Sequence, residues 1–235
     1  MSISLEEEAR FYDERWRNFG FANRLKLERC VAILDAIRRT RLVHPKIIEL
    51  GCGAGWLTSI LGLFGPTTGV ELSPEAVEKA SSSYPHARFV QGDVRAWKSE
   101  ELFDVAVSQE VIEHLEDQAQ HVDLAADLLR PGGFFIVTTP NAKTFVTLSK
   151  KERDKWSNQP TEKLLTVGEL VAYLARRLEV LEVRTIVALH GSKGWQSLMN
   201  STRLDRIKLR MGLGLHTIAV AKKPNLPEPG VLLRR

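Results

Sequence analysis

The chain has 235 residues, of which 43% are hydrophobic and 26% charged, with a formal net charge of +4. That is one α/β domain's worth of chain with enough apolar content for a buried core, and it excludes disordered and fibrous classes. No apolar run is long enough to cross a bilayer, and Met1 to Arg10 is acidic rather than basic-then-apolar, so the expectation is no membrane span, no signal peptide and a cytoplasmic location.

The only cysteines are Cys30 and Cys52. Cys52 sits inside a glycine-rich loop where a disulfide would distort the backbone, so both are expected as free thiols. The mild positive charge permits an anionic partner without requiring one.

Residues 1–45 read as a helical cap, with apolar positions that include Phe11, Trp16, Phe19, Leu25, Val31, Leu34 and Ile37 and a break near Gly20. From residue 46 on, short β-branched runs alternate with helical stretches, the pattern of parallel strands joined by crossover helices. The predicted strands are Lys46–Leu50, Thr68–Leu72, Arg88–Gln91, Asp104–Ser108 and Gly133–Thr138. Two more, Val180–Ala188 and Gly214–Ala221, lack a crossover helix between them and are expected to pair antiparallel.

Ser73-Pro74 reads as an N-cap with proline at the first helical position, and Thr166 with Glu169 as a capping box. The fold class that results is α/β: a Rossmann-like, doubly wound, seven-stranded sheet with five parallel strands and a terminal antiparallel pair. One domain is expected over 1–223, with 46–139 as its ligand-binding core and 224–235 as a tail. Segments 141–165 and 189–213 follow strands at the carboxyl edge of the sheet, where they would overhang a ligand site. Their charges sum to +3 and +4, which gathers basic groups at the expected entrance and suits an anionic substrate. Trp156 and Trp195 within them, and Tyr12 and Trp16 in the cap, could stack on a planar substrate or close a core.

In a sheet of this kind ligands sit beyond the carboxyl ends of the strands, where the strand order reverses. The first strand ends in Glu49-Leu50-Gly51-Cys52-Gly53-Ala54-Gly55 and enters a helix at Trp56. Glycines let a backbone approach a ligand, and a helix N-terminus offers N–H groups to an anionic group. Glu71 ends the second strand about 20 residues later, where a carboxylate can accept from both ribose hydroxyls. Leu72 would lie against an adenine; after the third strand, Asp93 can accept from its amino group and the Val94 N–H can donate to a ring nitrogen. A dinucleotide loop needs G-x-G-x-x-G, but Trp56 occupies the third glycine position. No G-x-x-x-x-G-K-[ST] phosphate loop is present either.

Residues 46–139 resemble the class I S-adenosylmethionine (SAM) dependent methyltransferases through Ile47–Gly55, Gly69-Val-Glu71, Gln91-Gly-Asp93 and Leu129-Arg-Pro-Gly-Gly133. The resemblance implies SAM as cofactor, with Gly51 and Gly53 at its methionine end, Glu71 at ribose, Asp93 at adenine and Gln109 in contact after the fourth strand. Glu49 stands where the family more often has aspartate.

After the fourth strand, Glu110, Glu113 and His114 share one face if a helical turn begins there, and two carboxylates with an imidazole can hold a divalent cation such as Mg²⁺, Mn²⁺ or Zn²⁺. The run is similar to the E-x-x-E-H segment of ubiquinone-biosynthesis O-methyltransferases and of small-RNA 2′-O-methyltransferases, which implies a metal that holds a diol or catechol. No second histidine cluster follows Thr139-Pro-Asn141 as in the RNA enzymes. Kinship to the ubiquinone group extends to Thr139–Asn141 and Lys163–Leu170, and Arg29 matches an arginine that contacts SAM there.

These readings converge on methyl transfer to a hydroxyl or amine of a small, anionic or diol-bearing molecule, with His114 taking the proton from a hydroxyl. The rival readings are an RNA 2′-O-methyltransferase and a SAM-binding protein without catalysis. The oligomeric state is not legible.

Overall fold

A computed structural model describes residues 4–17, 23–148, 162–188, 207 and 209–225. Seven strands, β1 (Ile47–Leu50), β2 (Thr67–Glu71), β3 (Arg88–Gln91), β4 (Phe103–Gln109), β5 (Leu129–Pro140), β6 (Glu179–Ala188) and β7 (Gly214–Lys222), form one sheet in the order β3-β2-β1-β4-β5-β7-β6. Their bounds lie within a residue of the expected ones except in β5, which begins earlier, at Leu129. Neighbours among β1 to β5 pair in parallel, while β7 lies between β5 and β6 and is antiparallel to both. The terminal antiparallel pair is therefore present, and β7 is the strand that runs against the others.

Period-2 alternation sends neighbouring side chains to opposite faces, and both faces are covered. Ile48, Leu50, Ala106, Phe135 and Val137 join one core cluster; Ile47, Val105, Val107, Ile136 and Ile218 join the other. The first face packs α5 (Gln118–Leu128) and α7 (Val167–Leu174), and the second packs α2 (Arg24–Thr40) and α3 (Trp56–Leu61). The expected helical cap appears as α1 (Leu5–Arg17) and α2; α4 (Pro74–Ser83) and the short α6 (Ala142–Phe145) complete the helices named here. Among the described residues no helix is long and apolar enough to cross a membrane.

Both predicted helix starts hold. Ser73 Oγ accepts from Ala76 N–H at 3.0 Å ahead of Pro74, and Thr166 and Glu169 bond reciprocally, Glu169 Oε2 accepting from Thr166 N–H at 2.8 Å. Cys30 and Cys52 are free and buried. Trp156, Trp195, His190, the Trp16 side chain and most of the two basic segments lie outside the described residues.

Candidate cofactor site at the switch point of the sheet

The chain leaves β1 for β2 on one side and returns to β4 on the other, so the carboxyl ends of β1 and β4 diverge around a crevice. A cavity of about 360 Å³ opens there, roofed by Tyr12 and Arg15 of α1 and by Lys26 and Arg29 of α2. Glu49, Gly51, Cys52, Glu71, Leu72, Asp93, Val94, Gln109, Glu110 and His114 all line it. The expected residues from four strand ends are thus brought together; of the expected set, Gly53 and Glu113 stand outside this lining.

The glycine loop is forced by its neighbours. Gly51 has φ 77°, and a Cβ there would lie 2.5 Å from Val111 Cγ2, so both backbone conformation and space demand glycine. Gly55, at φ 78°, would meet Phe89 and Ala80 at 2.6 and 2.7 Å. Gly53 instead donates its N–H to Glu71 Oε2 at 2.8 Å, while Ser73 N–H donates to Glu71 Oε1 at 3.0 Å. Each Glu71 oxygen keeps a further lone pair, and the carboxyl is 5% exposed. Burial raises its pKa against those two bonds. Glu49, 2% exposed, accepts from the Thr58 hydroxyl; burial, with Glu71's charge adding to it, pushes its pKa up to about 8, so near neutrality this carboxyl is largely protonated.

Asp93 is engaged by a residue that the sequence did not single out. Arg95 Nε donates to both of its oxygens at 2.8 and 3.0 Å, and Arg95 Nη1 pairs with Glu8 of α1 at 2.9 Å. Asp13 of α1 bonds the Ser73 hydroxyl. Helix α1 is therefore fastened at two points, to the segments that follow β2 and β3. No local pattern flags Glu8, Asp13 or Arg95, because each is an ordinary surface charge until the helix docks.

The segment after β4 departs from expectation. Glu110 takes the left-handed backbone, φ 55°, and only Ile112–His114 turns, as a 3-10 helix. The helical spacing that would align Glu110, Glu113 and His114 is thus absent. Glu110 instead accepts from Thr138 Oγ1 at 3.0 Å, with Arg29 Nη1 at 3.7 Å and His216 Nδ1 at 2.8 Å, a short but bent approach. Burial alone would raise its pKa, but His216 and then Arg29, with the Thr138 hydroxyl, outweigh it and hold the carboxyl ionised. Glu113, 1% exposed, turns to Thr139 Oγ1 at 3.0 Å; burial, reinforced by the Glu110 charge, lifts its pKa well above the carboxylate range.

One carboxylate already has a cationic partner in Arg29, then, and the other is held protonated. Among the described residues no group of three His, Cys, Asp or Glu could hold a metal ion. The donor set does not fit the divalent cation expected at Glu110, Glu113 and His114: His114 Nε2 and Glu113 Oε1 lie 3.7 Å apart, but Glu110 turns to Thr138, Arg29 and His216 and the three do not form one cluster.

The cavity does fit the adenosyl cofactor. Glu71 offers two accepting oxygens at the end of β2. Gln109 Nε2 and Arg29 Nε are buried donors with no hydrogen-bond partner among the described residues, and both residues face the cavity.

A family model described as "Methyltransferase domain" matches residues 11–207. Malonyl-[acyl-carrier protein] O-methyltransferase of Halalkalibacterium halodurans is 36% identical over 131 residues, 51% of this chain and 48% of that protein. Ubiquinone biosynthesis O-methyltransferase of Xylella fastidiosa is 34% identical over 117 residues, 46% of this chain and 47% of that one. The chain spans about half the length of these curated relatives, and the ubiquinone group is one kinship among several. A solved complex of the Haloferax volcanii Trm112 methyltransferase activator with a putative methyltransferase superposes at TM-score 0.70 and 18% identity, covering 95% of this chain and 99% of that one; at that identity the likeness speaks for the fold. With its seven-stranded sheet and a family match over most of its length, the chain belongs to the SAM-dependent methyltransferase-domain family.

Proposed function

We propose that this chain transfers the methyl group of SAM to an oxygen, or else an amine nitrogen, of a small anionic molecule. The observation that carries the reading is the division of one cavity into an end with paired accepting oxygens, at Glu71, and an end lined by Arg15, Lys26 and Arg29.

SAM, when bound, supplies a methyl on a sulfonium that is open to in-line displacement, so the protein's task is to align and to exclude water. Glu71 receives the ribose hydroxyls on the lone pairs that Gly53 and Ser73 leave. Leu72 and Val94 cover the adenine, and Asp93, held in place by Arg95, accepts from its amino group. Glu49 stays neutral beneath the loop, bonded to Thr58, and adds no charge beside Glu71. Gln109 and Arg29 direct unpartnered N–H groups to the methionine end. His114 borders the cavity and takes the proton of an acceptor hydroxyl.

Burial, followed by the charges of Arg29 and Arg15, brings the Lys26 pKa down to about 8. An anion between these cations would relieve their repulsion, and the malonyl group named for one relative is of that chemical class. No step is assigned to a metal.

The test is ligand-dependent stability and turnover. SAM and S-adenosylhomocysteine should raise the melting temperature while NAD leaves it unchanged, and Glu71→Ala should weaken S-adenosylhomocysteine about a hundredfold by removing two bonds to a charged acceptor. Formation of S-adenosylhomocysteine from SAM should then depend on a small carboxylate-bearing acceptor. A protein whose melting responds to neither adenosyl compound is not a SAM enzyme.

A further inference from the structure

We infer that His216 is a positioning residue that accepts from Arg29 Nη1 and so holds the Arg29 guanidinium in place to receive a carboxylate. The inference rests on the proposed SAM site, in which that carboxylate belongs to the methionine end of the cofactor.

Three segments that are remote in sequence meet here: Arg29 on α2, Glu110 after β4 and His216 within β7. Arg29 is 8% and His216 3% exposed, so water cannot satisfy their polar atoms. Arg29 Nη1 lies 3.2 Å from His216 Nε2. A guanidinium only donates, so Nε2 is the acceptor and the imidazole proton sits on Nδ1, which lies 2.8 Å from Glu110 Oε2 but out of line for a hydrogen bond to it.

Arg29 and Glu110 themselves are 3.7 Å apart, outside hydrogen-bond contact. The two charges thus form a loose ion pair without the forked hydrogen bonds of a bidentate one, and the Nη1 hydrogen bond goes to the imidazole. That distinction matters chemically. A bidentate arginine–carboxylate pair would use up the donors that recognise an incoming carboxylate, whereas here Arg29 Nε has no partner among the described residues and the residue lines the cavity.

Both neighbours of the guanidinium are rigidly held. His216 is held in register between Pro140 of β5 and Ile186 of β6, and Glu110 is anchored by Thr138, whose hydroxyl donates to Oε1 and whose carbonyl accepts the Glu110 N–H, each at 3.0 Å.

Binding of S-adenosylhomocysteine, which has the carboxylate, should be compared with that of 5′-methylthioadenosine, which lacks it. His216→Asn, which cannot reach Arg29, should weaken S-adenosylhomocysteine about tenfold and leave methylthioadenosine within about twofold. His216→Gln, whose amide oxygen reaches the Nε2 position, should restore most of the loss. In an Arg29→Ala background, His216→Asn should have no further effect on S-adenosylhomocysteine. His216→Leu fills the buried volume and should give the same selective loss if the Asn variant does not fold. Equal weakening of both ligands, or of neither, overturns the role given to His216. A wild-type protein that binds neither ligand overturns the cofactor assignment beneath it.

Discussion

The wall of the cavity that follows β1, β2 and β3 is tied together over short stretches of chain: Gly53 reaches Glu71 across 18 positions and Ser73 across two. The wall that follows β4 is tied by Arg29 to His216 across 187. At Glu71 the first wall uses backbone N–H groups as donors, and burial pushes Glu49 and Glu71 toward the neutral form. The second joins Arg29, Glu110 and His216 through their side chains and keeps the half-buried Glu110 carboxylate ionised. A loop that must approach a ligand with its own backbone has few solutions, and these are written as glycines. Two charged side chains that must meet from opposite ends of a chain leave no such local record.

The most severe test of this contrast is Glu110→Ala. It strands Arg29 as a buried cation and should cost about 3–5 kcal/mol of stability, read by urea or thermal unfolding. A loss no larger than that of a typical surface substitution would mean that the second wall is not held by its charges.

Next is Glu49, where the sign is opposite. Its folded pKa of about 8 stands above the ordinary 4.5, so its contribution to stability is fully present below about pH 4.5 and is lost as pH rises through about 8. Glu49→Gln mimics the protonated form and keeps an oxygen for Thr58. It should stabilise the protein by about 3 kcal/mol at pH 7 and flatten the fall in melting temperature between pH 5 and 8. Glu110 works the other way: its lowered pKa gives stability present above the ordinary value and lost as pH falls below it. A melting profile in which Glu49→Gln changes nothing between pH 5 and 8 would place a charged carboxylate under the glycine loop.

The smallest effect is expected at Glu113. Because it is held protonated against Thr139, Glu113→Gln should change stability by under about 1 kcal/mol and leave S-adenosylhomocysteine binding intact. Methyl transfer should then show the same chelator response in the variant as in the wild type, since Glu113 is not placed as a metal ligand. A chelator effect lost only in Glu113→Gln would restore the metal reading.

What the sequence determined by itself was whatever short-range geometry can encode. The alternation of Ile47 with Ile48 put them on opposite faces of the sheet, Ser73-Pro74 and Thr166–Glu169 marked two helix starts, and the glycines of 51–55, with Glu71 and Asp93 at their spacings, pointed to the strand ends around which the cavity opens. Each of these is a constraint between residues a few positions apart, or at the ends of adjacent parallel strands, and so it survives in the order of the letters.

Only the tertiary structure decided which way the segment after β4 turns. The spacing of Glu110, Glu113 and His114 suits a helix, yet Glu110 adopts φ 55° and its carboxylate meets Arg29 and His216 instead. Tertiary contact likewise made partners of Arg95 and Glu8, and of Asp13 and Ser73. In each case the energy that fixes the side chain comes from a group distant along the chain, and burial, which makes that contact strong, exists only once the sheet has closed.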